Sequence, residues 1–372
     1  MKKLVALVLA LIMALGMMSF AAAEGEAQKV VGIAMPTKEL PRWNSDGAFL
    51  VKAFEEAGYK VEITYSDNKE DQQVADIQRL LAEDPALLLI TAVNGEALNT
   101  VMDEAQEKGV IVIAYDRLIM HDAVSYYVSY DNFTVGVLQG QFIEEVLGLK
   151  DAGDKTFNME FTAGDPADNN AGYFFNGAMS IMKPYIEAGT IKVPSGQTEF
   201  DQVATAAWST DTAMDRAANI LGSYYGDGTV LDAWLCSNDS TALGVAQAIG
   251  NDYKGDNAIF VTGQDADDLN VQNIYEGKQT MTVYKNLANE VAVTLAVAKA
   301  ALEGEIDGEA LAAGFDIDVA YDVESYETTP GRKCPSFLLV PYVITKDNMQ
   351  LLADTGLYAW NADNTFVQKV PD

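Results

Sequence analysis

Polar side chains recur just past the apolar runs of this sequence. Lys38, Arg42 and Trp43 follow "VVGIAMP", Asp116 and Arg117 follow "VIVIAY", and Asp168, Asn169 and Asn170 follow "FNMEFTAG". Further along, Asn238 and Asp239 follow "AWLCS", Gln264 and Asp265 follow "AIFVTG", and Lys285 follows "TMTVY". Any one of these has a plain structural explanation: an ion pair at Asp116 and Arg117, helix caps in "SND" and "GQD", a turn in "ADNN". Their joint occurrence at so many strand ends is what that explanation leaves over. Planar groups that donate and accept, namely Asp, Asn and Arg, match vicinal hydroxyls. Four cations (Lys38, Arg42, Arg117, Lys285) stand against three acids outside the "ADNN" turn (Asp116, Asp239, Asp265), so the pattern suits a neutral polyhydroxylated ligand better than a phosphorylated or cationic one. Trp43 and Trp208 offer flat apolar plates for the C–H face of a pyranose. Phe174 and Phe175 lie at helical spacing and read as core, and Trp234 and Trp360 read as structural.

Chemistry that breaks bonds finds little support. There is no P-loop, G-x-S-x-G, H-E-x-x-H or C-x-x-C pattern, and His121 is the only histidine. A hydrolase using histidine would depend on that one loop residue. A glycosidase needs only two carboxylates, but here the polar cluster is divided between two similar halves and is as rich in amides and cations as in acids. No cofactor and no metal is expected; "SDNKEDQQ" lacks the spacing of a calcium loop.

Elements that could position these groups come in a regular rhythm. "VVGIAM", "KVEITYS", "ALLLITA" and "VIVIAYD" alternate with the helical patterns "DGAFLVKAFEEAG", "DQQVADIQRLLAED" and "EALNTVMDEAQEKG". Continuous Val/Ile/Leu runs predict strands covered on both faces, hence a parallel sheet with crossover helices. After "VSYYVSYDN" the rhythm begins again. The fold class is therefore α/β, two doubly wound, Rossmann-like units, with ligands expected beyond the carboxyl ends of the strands. The tail is harder: "QTMTVYKN", the helix "LANEVAVTLAVAKAALEG" and a strand in "SFLLVPYVITKDN" could complete either sheet.

The 372 residues suffice for two cores. Lys2 and Lys3 ahead of the apolar run Leu4 to Met18, ending in Ala21 to Ala23, read as a secretory signal cleaved near Ala23; a retained anchor is the alternative. The formal charge of −31 becomes −33 without those two lysines, which excludes nucleic acid as a partner and favours a solvated acidic surface. No cysteine closes the apolar run, so no lipid-modified cysteine is available. Cys236 lies in an apolar run, and whether it pairs with Cys334 stays open.

Taken together, "GIAMPTKELPRW", "VIVIAYDRLI", "VSYYVSYDNFTVGVLQ", "GDPADNNA", "FFNGAMSIMKPYI", "SNDSTALG", "VTGQDAD" and "PSFLLVPYVITKDN" make the chain resemble the type I extracytoplasmic sugar-binding proteins of ABC transporters, in the branch of the xylose-binding and multiple-sugar-binding proteins. The resemblance runs from about Lys29 to Tyr358. It implies a periplasmic binding protein type I fold with three crossings between domains, near Tyr130, near Tyr284 and near Pro335 to Val340. The expected organisation is a signal peptide over 1–23, a first lobe over 24–130 and 285–335, and a second over 131–284 and 336–372. Sugar contacts are implied at Lys38, Arg42, Trp43, Asp116, Arg117, Asn169 or Asn170, Trp208, Asp239, Asp265 and Lys285. The function implied is a periplasmic or otherwise extracytoplasmic receptor, not an enzyme, that closes on one monosaccharide such as xylose or glucose and presents it to a membrane permease. A sugar-sensing adaptor for a chemoreceptor or histidine kinase is the alternative. A monomer is expected, and Asp116, Arg117, Asp239 and Asp265 are expected to be the most sensitive positions.

Overall fold

The structure is a computed structural model that describes residues 28–304 and 306–370; the segment read as a signal lies outside the described residues. Its first strands are β1 (Val30–Met35), β2 (Lys60–Tyr65), β3 (Leu87–Ile90), β4 (Ile111–Tyr115) and β5 (Val124–Tyr130), set parallel in the order β2-β1-β3-β4-β5. All four residues of β3 are buried. Alternate residues serve opposite faces, as the pleat requires. Leu88 and Ile90 pack with Ile77, Leu80, Val101 and Met102 of helices Glu70–Leu81 and Asn99–Glu107. Leu87 and Leu89 pack with Leu50 and Phe54 of helix Pro41–Glu56 and with Val293 and Val297 of helix Leu287–Glu303. That last helix returns from far along the chain to cover the first sheet.

A second parallel sheet repeats the pattern. Strands β6 (Phe157–Thr162), β7 (Ile191–Lys192), β8 (Ala233–Cys236) and β9 (Phe260–Val261) lie in the order β7-β6-β8-β9. Strand β10 (Met281–Tyr284) continues beside β9, with Thr280 N donating to Val261 O and Val283 N to Gly263 O, each at 2.9 Å. Both sheets therefore run 2-1-3-4-5 and switch direction between their first and third strands, at β1/β3 and at β6/β8. Helices Asn132–Val146 and Asn169–Glu187 cover one face of the second sheet and cross closely: a Cβ on Gly136 would stand 1.9 Å from Phe174 O, and one on Gly177 2.1 Å from Phe133 O. Only glycine fits at that crossing.

The tail resolves at Pro341. Ser336–Leu339 pairs parallel with β5, with Val319–Asp322 antiparallel at its outer edge, whereas Tyr342–Thr345 pairs antiparallel with β10. What reads as one strand in "SFLLVPYVITKDN" is thus two, in different sheets. The boundary expected between 335 and 336 is corrected accordingly, since Ser336–Leu339 belongs to the first sheet and the third crossing follows it. Proline has no N–H to continue a ladder, so the chain leaves one sheet there and enters the other. Cys236 and Cys334 are both buried free thiols, in core clusters under different sheets.

Candidate functional site

At the carboxyl ends of both sheets, residues from the two lobes meet around Arg42. Pro41 opens its helix at the first position, where the missing N–H costs nothing and the fixed φ suits a helix. That start, earlier than the apolar pattern "DGAFLVKAFEEAG" suggests, puts Arg42 and Trp43 on the first turn, facing the cleft. The Arg42 guanidinium lies 2.6 Å from Asp116, 3.0 Å from Glu290, 3.3 Å from Asp265 and 3.5 Å from Asp46. Lys285 Nζ stands 3.3 Å from Asp116 and 3.4 Å from Asp265. Beside this group Arg117 pairs with Asp168 at 3.0 Å and donates to Ala92 O at 3.0 Å.

Backbone conformation aims three of these side chains. Asp116, Trp208 and Asp265 all have positive φ, at 58°, 54° and 104°, a region that costs a residue with a side chain free energy. At Asp116 the conformation is held by its carbonyl, which accepts from Tyr127 Oη at 2.6 Å, Asn170 Nδ2 at 2.6 Å and Ser129 Oγ at 3.0 Å. Asp265 is held by its N–H, donated to Val283 O at 2.9 Å. Trp208 lies over Gly164, where a Cβ would come within 1.9 Å of the indole.

Aromatic groups line the same space. Arg42 and Arg117 stand over the Trp43 ring at 4.7 and 5.2 Å, and Trp208 meets Phe174 edge-on with centroids 6.1 Å apart. Phe174, read from the sequence as core, lines the cleft, as do Leu40, Asp168, Asn238 and Gln264. Among the described residues, the buried cleft atoms without a hydrogen-bond partner include Trp43 Nε1, Trp208 Nε1 and Gln264 Oε1. Gln264 donates its Nε2 to Ser237 O at 3.2 Å, which orients the amide and leaves the carbonyl oxygen for a ligand donor. The closed cleft encloses a cavity of about 30 Å³, enough for a water and far below the few hundred Å³ of ordinary small-molecule sites, so a ligand enters by separation of the lobes.

Burial and charge divide the acids. Burial alone would raise the Asp116 carboxyl, but Arg42, Lys285 and Arg117 outweigh it and hold it down at about 2. Glu290, fully buried, is pushed well up by burial and by Asp116, with Arg42 opposing. Asp46 and Asp168 are also raised by burial, against Arg42 and Arg117 respectively. Asp239 is raised strongly by burial and by its neighbours Asp267 and Asp265.

Of the residues expected to hold a ligand, the structure brings Arg42, Trp43, Asp116, Arg117, Trp208, Asp265 and Lys285 to the cleft wall. It does not bring Lys38, Asn169, Asn170 or Asp239 there. Lys38 is exposed and extends over the Tyr65 ring at 4.6 Å. Asn169 follows the Asp168 cap outside the lining, while Asn170 props the Asp116 carbonyl from behind. Asp239 accepts from Asp267 N at 2.9 Å and from Gln279 Nε2 at 2.8 Å, and it is completely buried. Its neighbour Asn238, the helix cap bonded to Thr241 N at 3.0 Å, is the member of that pair on the wall. The near balance of charge read from the sequence changes with it: Lys38 and Asp239 leave the lining, and Asp46 and Glu290 join Arg42. Asp46 was signalled only by its position one helical turn after Arg42, and Glu290 by an acid at the start of an otherwise apolar helix. His121 is bonded to Asp103 and Ala123 N, outside the cleft. Among the described residues no acid, histidine and cysteine cluster could hold a metal.

Comparison with known proteins gives the family. The model of the periplasmic binding protein domain matches residues 31–306. The chain belongs to that family. It is 38% identical over 356 residues to the multiple sugar-binding periplasmic protein SbpA of Azospirillum brasilense, covering 93% of this chain and 95% of the relative. To the D-xylose-binding periplasmic protein of Escherichia coli it is 33% identical over 271 residues, 71% of this chain and 77% of the relative. A crystal structure of an ABC transporter solute-binding protein from Clostridium phytofermentans, with bound β-D-glucose, superposes with a TM-score of 0.83 at 43% identity, over 91% of this chain and 100% of that one. The periplasmic binding protein reading and the α/β parallel-sheet fold are thereby established.

Proposed function

We propose that this protein is an extracytoplasmic receptor for one free monosaccharide of the xylose and glucose class, and that it hands the closed, loaded form to an ABC transporter permease. The observation that carries the reading is the charged cluster built from both lobes, in which Arg42, Asp116 and Arg117 from the first face Asp265, Asn238 and Trp208 from the second. Such a cluster offers donors and acceptors around a small polyol and removes it from water when the lobes close. The relatives support it: one is named for several sugars, one for xylose, and one holds glucose.

No covalent step belongs to this function. The cleft acids are engaged with Arg42, Lys285 and Arg117, which suits recognition by hydrogen bonding. The same reading includes a cleaved signal near Ala23 and a monomeric receptor, with contact to a membrane sensor kinase as a second use of the closed form.

Isothermal titration calorimetry of residues 24–372 against xylose, glucose, galactose, arabinose and ribose, with a sugar phosphate as control, tests it. One-to-one binding of a free sugar that is recovered unchanged supports the receptor. Heat with none of them, or turnover of the ligand, sinks it.

A further inference from the structure

Behind the wall formed by Arg42, Asp265 and Lys285 lies a second cavity, about 360 Å³ and much larger than the one in the cleft. These three residues line both spaces, so a single layer of side chains separates the two. One side of the larger cavity is the helix Pro41–Glu56, presenting Ser45, Ala48 and Phe49; the other is the end of the chain, presenting Leu357, Tyr358 and Lys369. The first side belongs to the first lobe. The second side is built on the second: Tyr358–Trp360 pairs with Val367–Lys369, Tyr358 Oη donates to Ala266 O at 2.8 Å, and Lys369 bridges to Asp267 at 3.2 Å. A molecule in this cavity therefore touches both lobes in their closed arrangement.

The lining mixes apolar and polar surface. Phe49, Leu287 and Leu357 give apolar surface, and Ser45, Asp46 and Lys369 give hydrogen-bonding groups at its edges. The dividing wall is held by ion pairs from Asp265, to Arg42 at 3.3 Å and to Lys285 at 3.4 Å.

We infer that this cavity is a second subsite, which takes the second pyranose of a disaccharide whose first sugar occupies the cleft. The inference rests on the cleft being a sugar site. Through it the receptor's ligands extend from monosaccharides to glycosides substituted at the hydroxyl that meets Asp265 and Lys285. The added ring makes contacts to both lobes and so favours closure.

The test titrates residues 24–372 with glucose and xylose and with a panel of their disaccharides in different linkages. It repeats the series on Ala48→Trp, an exposed helix position that fills the cavity from the first lobe, and on Val370→Trp, which narrows it from the second. The expected result is one-to-one binding of at least one disaccharide, weakened tenfold or more by either tryptophan, with monosaccharide affinity within twofold of the parent. Monosaccharide binding without binding of any disaccharide overturns the inference and leaves the receptor intact. So does disaccharide binding that neither variant changes, or that falls in step with monosaccharide binding. A chain that binds no sugar at all overturns both.

Discussion

Arg42 Nη1 lies 3.3 Å from Asp265 Oδ1, an ion pair that joins the first lobe to the second across the cleft. The two residues are 223 positions apart and reach each other only because each stands at the ligand end of its own sheet. Arg42 is at the same time the ion partner of Asp116 and lies within 3.0 Å of Glu290 and 3.5 Å of Asp46. Arg42→Ala should therefore remove sugar binding by more than about 100-fold and also lower stability by about 3–5 kcal/mol, because buried acids lose their partner. Calorimetry and denaturant unfolding read the two effects separately; retained affinity would refute the central role given to this residue.

The indole of Trp208 depends on an absent side chain. Because a Cβ on Gly164 would overlap it, Gly164→Ala should displace the ring from the cleft wall and weaken sugar binding about tenfold, near the upper end of the roughly 0.5–1.5 kcal/mol of a lost aromatic contact. Tryptophan fluorescence should shift in the unliganded protein. Affinity equal to the parent would show that the indole is not a binding surface.

Asn238 and Asp239 separate binding from folding. Asn238→Asp keeps the oxygen that caps its helix but loses the amide donor on the cleft wall, so affinity should drop about tenfold with little change in melting temperature. Asp239→Ala leaves Asp267 N and Gln279 Nε2 without their buried acceptor and should cost about 1–3 kcal/mol of stability, with sugar affinity following only as far as the wall shifts. A stable Asp239→Ala protein that binds nothing would return Asp239 to the contact set.

Glu290 sets a pH dependence. Burial and Asp116 hold its folded carboxyl above the ordinary value of about 4.3. The folded state then binds the proton more tightly than the unfolded chain, so the stability Glu290 contributes is fully present below about pH 4.3 and is lost as pH rises towards the folded value. Glu290→Gln does not titrate. Its melting temperature relative to the parent should therefore improve from pH 4.5 to pH 8. A difference that stays constant, or moves the other way, would mean that Arg42 keeps Glu290 ionised throughout.

Much of this molecule could be read from its residues in order. Apolar runs such as "LLLI" and "VIVIAY" can be covered only on both faces, which dictates parallel sheets and crossover helices. Because loops converge past the carboxyl ends of such strands, Arg42, Trp43, Asp116, Arg117, Asp265 and Lys285 could be picked out by position. The sequence by itself thus determined the architecture and the polar character of the cleft. What only the tertiary structure decided is direction and company. Whether Asn238 or Asp239 faces the cleft depends on the cap geometry at one helix start, and Lys38 turns outward where the chain bends into Pro41. Asp46 and Glu290 join the cluster because two helices distant in sequence lie side by side on the first sheet. Pro341 sends adjacent residues into different sheets. Local pattern records how each residue sits on its own element, and the burial that raises Glu290 and lets Arg42 reach Asp265 exists only once the lobes are packed.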